Sequence, residues 1–190
     1  MMWHGQQCNA FTGDAPLSAS KSSSTLPSIP ADEFRANMRH LAGAVTVIAT
    51  GVIGHRFGLT ATAVCSLADD PATLLVCVNR SATAHDVISK NRNFSVNLLA
   101  DDQEAIAGRF AGRAGLKGEA RFEGGDWRTL ATGAPTLVDA VATFDCEVNQ
   151  EHVFATHTIF IGRVVAAAAR DCADPLIYLR GAVRHLTTAP

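Results

Sequence analysis

The run Leu74-Leu75-Val76-Cys77-Val78 is apolar at every position. Successive side chains of a strand point to opposite faces, so an unbroken apolar run has to be covered on both. The turn signal Asp69-Asp70-Pro71 before it and the polar cluster Asn79-Arg80-Ser81 after it confine it to strand length. A sheet with one wet face does not accommodate such a strand. A barrel strand, covered outside by a helix or by a second subunit, does.

Other segments share the β character. "VTVIAT" (45–50) and "LTATAVCSL" (59–67) flank the Gly-rich "GVIGHRFG", which reads as a hairpin loop. "FSVNLLA" (94–100), "ATFDCEVNQEHVF" (142–154), "TIFIGRVVAAAA" (158–169) and "LIYLRG" (176–181) complete the set. Two segments are helical. Phe34, Met38 and Leu41 recur at i, i+4, i+7 in an amphipathic helix ending at Gly43. Asp101 with Glu104 resembles a capping box that opens a helix through "QEAIAGRFAG". Strands outnumber helices and do not alternate with them, which argues against a doubly wound parallel sheet and for a mainly β, antiparallel barrel. Residues 1–30 are rich in Ser, Ala, Pro and Gly without a period, so we expect a flexible tail there and one domain over 31–190.

Composition removes several function classes. A formal charge of −2 with no Lys/Arg block gives no electrostatic footprint for nucleic acid. No window approaches the ~20 apolar residues of a membrane helix, and no basic start precedes an apolar leader, so the expected location is the cytoplasm. The five cysteines are odd in number and lack a C-x-x-C pair, as suits reduced thiols packed as small side chains. There is no G-x-G-x-x-G, no P-loop and no G-x-S-x-G elbow. His152 and His157, read along one extended chain, point to opposite faces, and no metal site is expected.

One stretch carries chemistry. If 59–67 is a single strand, Thr60, Thr62, Val64 and Ser66 share one face and Leu59, Ala61, Ala63 and Cys65 the other. That makes a wall of small and hydroxyl side chains against which a flat ring lies close to the backbone. At the end of the next strand Asn79, Arg80 and Ser81 offer an amide, a cation and a hydroxyl, with His85 beyond at the start of a short helix. Together these form a candidate phosphate corner.

The blocks "GLTATAVCSLADDPATLLVCVNRSATAH", "NFSVNLLADDQEAIAGRFAG", "GAPTLVDAVATFDCEV", "THTIFIGRV" and "PLIYLRG" resemble the flavin reductase domain that serves as the small component of two-component flavin monooxygenases. The resemblance runs from about Phe34 to Leu186. It implies an FMN-binding split barrel, a homodimer, that passes hydride from NADH or NADPH to FMN or FAD and supplies the reduced flavin to an oxygenase partner. It further implies flavin contacts at Thr60, Ala61, Thr62, Ala63 and Ser66, then at Cys77, Val78, Asn79, Arg80 and Ser81, with His85 and Tyr178 completing the site. It places His157 near the nicotinamide. Many family members carry Gly-Asp before that histidine, where this chain has Ala155-Thr156. Two other readings stand beside it: a flavin carrier or sensor without turnover, and a split-barrel oxidase of the pyridoxamine phosphate oxidase type.

Overall fold

The computed structural model describes residues 26–112 and 115–186. The expected tail therefore falls outside the described residues except for 26–30, which are exposed and carry no helix or strand. Three helices, α1 (Ala31–Met38), α2 (His85–Asn91) and α3 (Glu104–Phe110), accompany twelve strands among the described residues. In chain order the strands are β1 (Gly43–Ala44), β2 (Thr46–Val52), β3 (His55–Ala61), β4 (Val64–Asp69), β5 (Ala72–Asn79), β6 (Asn93–Leu98), β7 (Trp127–Thr129), β8 (Pro135–Leu137), β9 (Ala142–Phe154), β10 (His157–Ala169), β11 (Ile177–Leu179) and β12 (Ala182–Arg184).

Seven of these form one antiparallel sheet in the order β3-β2-β6-β9-β10-β5-β4. Its outermost strands, β3 and β4, are consecutive in the chain and joined only by Thr62 and Ala63. In a flat sheet they would lie six spacings of about 4.8 Å apart, roughly 29 Å. Three Cα steps reach at most ~11 Å, so the sheet has to curl until its edges approach each other. The edges meet at this one connection and do not pair along their length. The result is an antiparallel barrel split along one seam, the mainly β architecture expected from the sequence.

This closure corrects one reading. Residues 59–67 are not one strand: the chain leaves the sheet at Thr62 and re-enters at the opposite edge, so Thr60 and Ser66 do not share a wall. The Gly-rich segment before it is also more ordered than a loop. β2 and β3 continue through it to a two-residue turn at Ile53 and Gly54, where Gly54 adopts φ +84°.

The sheet separates two apolar clusters. Inside the barrel, Ile48, Leu74, Val76, Val78, Phe94, Val96 and Phe160 pack together, joined by Ala84, which precedes α2, and by Ile88 within it. Outside, Val47, Ala49, Leu99, Phe110, Phe122, Leu137 and Leu176 pack under α3, β8 and the C-terminal strands. Thr46 to Gly51 are consequently buried in succession, because β2 has protein on both faces. β5 behaves otherwise: Leu74, Val76 and Val78 are buried, while Leu75 and Cys77 on the outer face are only half-buried. Cys146 lies within the inner cluster, and burial, followed by the adjacent Asp145 carboxylate, pushes its thiol up to about 12. The cysteines at 65, 77, 146 and 172 are free thiols.

Polar side chains of β6 fix the outer layer. Asn93, Ser95 and Asn97, on one face by period two, bond Thr132 O (2.9 Å), Pro135 O and Leu137 N (2.8 Å) respectively. A second anchor is Arg56, whose Nε donates to Glu119 at 2.6 Å while its guanidinium covers the Phe122 ring at 4.6 Å. That contact holds the Glu119 carboxyl below its usual range.

Two expectations about helices need adjustment. α1 ends at Met38, before Gly43, and its apolar stripe of Phe34 and Met38, continued by Leu41, is exposed. The expected Asp101/Glu104 box is replaced by Gln103 Oε1, which accepts the Ala100 N–H at 3.0 Å, and a 3-10 turn over Asp101–Gln103 precedes α3. No helix among the described residues is long and apolar enough to cross a membrane.

Gly58 sets how closely α3 approaches β3, since a Cβ there would lie 2.7 Å from the Phe110 ring and 3.0 Å from Ile48 O. Gly58→Ala is expected to lower stability by about 1–3 kcal/mol through overpacking, measured by urea unfolding. An unchanged midpoint would show that α3 is free to shift.

Candidate functional site

A cleft of about 550 Å³ opens between the end of β3, α3 and the β11–β12 hairpin. It brings together four of the residues singled out in the sequence, Thr60, Ala61, Thr62 and Tyr178. Opposite them stand Glu104, Ala107, Gly108 and Ala111, spaced i, i+3, i+4, i+7 on one face of α3 and its C-terminal turn. Gly181, Ala182 and Val183 close the third side. The walls are therefore mostly small and apolar, with few polar groups, which is the construction of a small-molecule pocket.

Hydrogen bonds fix this geometry. The Thr60 hydroxyl donates to Ala107 O at 2.7 Å and ties α3 to the strand, and the Thr46 hydroxyl donates to Ala61 O at 2.8 Å. Ala63 O accepts the Cys77 N–H at 3.0 Å. The N–H groups of Thr62 and Ala63, outside both strands, have no backbone acceptor among the described residues. They are donors available to a bound molecule.

The second group of predicted residues lies at the adjoining strand end, two residues or ~7 Å beyond Cys77. Asn79 Oδ1 accepts from both the N–H (2.9 Å) and the hydroxyl (2.8 Å) of Ser81, an Asx turn that sets the corner. The Arg80 N–H donates to Thr156 O at 3.0 Å, which locks the corner to the β9–β10 turn. The Arg80 side chain is exposed, with no hydrogen bond or ion pair among the described residues. His157 pairs with Asn79 in the β5–β10 ladder, so its exposed imidazole stands on the same outer face, Nδ1 lying 2.9 Å from Thr156 Oγ1.

His85 occupies a different situation from the anion ligand the sequence suggested. Its ring is buried, with Nδ1 2.7 Å from Asp86 Oδ1 and Nε2 2.8 Å from the Thr158 hydroxyl. An ionised carboxylate only accepts, so Nδ1 carries a proton, and in the neutral ring the Thr158 hydroxyl then donates to Nε2. Both nitrogens are engaged, and the ring anchors Thr158, the residue after His157, to α2.

Three other predicted residues are set apart. Ser66 is exposed on β4, paired with Leu74 rather than near the cleft. Val78 points into the core, and Cys77 is half-buried on the outer face. His152 and His157 lie on the same face, because the turn at Ala155-Thr156 folds β9 back on β10 with Phe154 opposite His157. What the sequence reading missed is the lining from α3. The spacing of Glu104, Ala107, Gly108 and Ala111 was its one signal.

Comparison with known proteins decides the family. Residues 38–187 match the flavin reductase like domain. The chain belongs to that family. It is similar to the protein named FMN reductase (NADH) RutF of Methylorubrum populi, at 41% identity over 174 residues, covering 92% of this chain and 85% of the relative. Among solved structures, BorF, the flavin reductase component of a bacterial two-component tryptophan halogenase, superimposes with TM-score 0.77 at 31% identity, over 84% of this chain and 100% of BorF. The NADH:FAD oxidoreductase SgcE6 of Streptomyces globisporus, solved with NAD and FAD fragments, gives 0.75 at 27% identity, over 82% of this chain and 92% of SgcE6.

Removing the Thr158 hydroxyl leaves a buried ring nitrogen without a donor. Thr158→Val is expected to cost about 1–3 kcal/mol in urea unfolding, with Thr158→Ser recovering most of it. Equal stability of all three proteins would mean that His85 finds another partner.

Proposed function

We propose that this chain is an NADH-dependent flavin reductase that takes FMN, the flavin named in the similar RutF protein, or FAD, and supplies the reduced form to a separate oxygenase. The observation that carries this reading is a small-walled cleft lined by Thr60, Ala61 and Thr62, whose neighbour Ala63 is hydrogen-bonded to Cys77 on the strand that leads to Arg80, a guanidinium with no partner among the described residues. When bound, flavin and nicotinamide supply the hydride chemistry themselves. The protein's tasks are to hold the rings in register and to meet developing charge.

Ala61, Thr62 and the small face of α3 accept the ring system, and Tyr178 bounds it. The N–H groups of the Thr62-Ala63 connection would receive charge developing on the pyrimidine edge. Arg80, on the corner shaped by Asn79 and Ser81, binds phosphate through a charge-assisted contact. His157 positions the nicotinamide. His85 acts through Thr158 and holds the start of β10, and with it His157, in place.

We further propose a homodimer. On the outer face, Leu75 pairs with Ile161 and Cys77 with Ile159, an apolar patch only half-buried in one chain, and the edge strand β4 beside it exposes Leu67 at 51%. A second copy would cover it. The cytoplasm, where thiols stay reduced, suits these free cysteines.

The test is NADH oxidation with and without added flavin. Flavin-dependent turnover supports the reductase, binding without turnover supports a carrier, and oxygen uptake driven by pyridoxamine phosphate supports an oxidase. Within the reductase, Arg80→Ala is expected to weaken FMN binding by about 1.5–3 kcal/mol in fluorescence titration. In the same series His157→Ala is expected to raise KM for NADH by roughly tenfold, about 1.4 kcal/mol, with FMN affinity nearly unchanged. The reverse pattern would exchange the two assignments. For the dimer, Ile159→Asp is expected to halve the mass measured by light scattering; a wild-type monomer would dispose of it.

A further inference from the structure

The cleft holds one feature that flavin binding alone does not call for. Among the described residues, Glu104, the first residue of α3, is the one carboxylate lining it. Its side chain has no hydrogen bond and no ion pair among the described residues. It is held in place from behind: Gln103 accepts the Ala100 N–H and donates to Asp139 O at 3.0 Å. The neighbouring acid, Asp102, is differently placed. It lies outside the cleft lining, with Arg170 at 3.8 Å. Arg180, beside the lining Gly181, sits in the hairpin turn and does not line the cleft.

We infer that Glu104 is a positioning residue for charge, which weakens the hold on reduced flavin relative to oxidised flavin and so favours release of the product. The inference rests on the reading that flavin occupies this cleft. Hydride transfer moves two electrons and one proton from the nicotinamide to the flavin. With no second proton taken up, the ring system gains one negative charge on its N1 and C2 carbonyl edge, and the nicotinamide becomes cationic. Oxidised flavin has no such ring charge. Glu104 lines the same cleft of about 550 Å³ as Thr62, so a ring held there meets its carboxylate across the cleft, over distances on the order of a Debye length, ~8–10 Å. The Glu104 carboxylate therefore acts on the negative charge of the reduced ring and much less on the uncharged oxidised ring.

The proposed opposing donors are the N–H groups of the Thr62-Ala63 connection, of which Thr62 lines the cleft. They assist the transfer, and without a counterweight they would also retain the anion they helped to form. A reductase that serves a separate oxygenase has to let that anion go. By thermodynamic linkage, the ratio of affinities for the two oxidation states is the shift in potential of the bound flavin. Glu104 sets both.

The experiment uses the full chain with FMN, under anaerobic conditions for the reduced form. Glu104→Gln is expected to tighten reduced FMN about tenfold while changing oxidised FMN less than threefold. The midpoint potential of bound FMN is expected to rise by the equivalent of that tenfold ratio, about 30 mV for a two-electron couple. Raising the salt should shrink the difference, because Glu104 is exposed at the rim. Asp102→Asn is the control for net charge and is expected to leave the ratio alone. A ratio for Glu104→Gln within twofold of wild type, or an equal shift in Asp102→Asn, overturns the inference. Wild-type protein that takes up no flavin in either state overturns the reading of the cleft itself, and is distinguished because no ratio is then measurable.

Discussion

The two-residue connection at Thr62-Ala63 governs the rest of the structure. It joins the opposite edges of a seven-stranded sheet across a distance no longer than ~11 Å. A sheet so tied cannot lie flat, and curling it places one face inside a barrel and leaves the other to be covered by α3, β8 and the C-terminal strands. The same connection interrupts the ladder. Backbone N–H groups that a continuous strand would spend on its neighbours are left at the seam, where the cleft forms. Fold closure and ligand donors thus have one origin.

The two apolar clusters make the site rigid where it has to be. β2 is sealed on both faces, and β3 beside it inherits that fixed position. Alternate residues of β3 face different clusters: Phe57, Leu59 and Ala61 pack toward the barrel interior, while Gly58 meets Phe110 and Thr60 bonds α3. The cleft wall is therefore one strand whose alternate side chains are used for core and for site. The row of Asn93, Ser95 and Asn97 does similar service for β8, converting the polar parity of β6 into bonds that hold the outer layer. Such bonds replace water that those side chains would otherwise need, and each adds about 1 kcal/mol.

Much of this was legible in the residues. The apolar run at Leu74–Val78 called for a covered strand, the long runs 142–154 and 158–169 emerged as the two 13-residue strands β9 and β10, and the Asn79-Arg80-Ser81 corner formed beside His157. The break at Thr62 was not legible, because small and β-branched residues continue through 59–67 without a turn signal and the bend is imposed by closure between edges remote in the sheet. The helix carrying Glu104 was readable as a helix, but nothing local indicates what its small face opposes. The partners of His85 were not legible for a related reason. A histidine at a helix start looks like an anion ligand until Thr158, far along the chain, occupies its second nitrogen.

The proposed site would house hydride transfer at a seam rather than in a sealed cavity. A buried pocket of the same size would strengthen every charge inside it, including the charge of the product. That suits an enzyme which keeps its cofactor. Here the walls are built from strands already fixed by the core, so geometry needs no closure to be accurate, and the mouth remains open to solvent between α3 and the β11–β12 hairpin. On the proposed reading, accuracy comes from the barrel and release from the split. The proposed role of Glu104 belongs with the second of these, since an exposed carboxylate at an open mouth supplies only a modest, salt-screened repulsion.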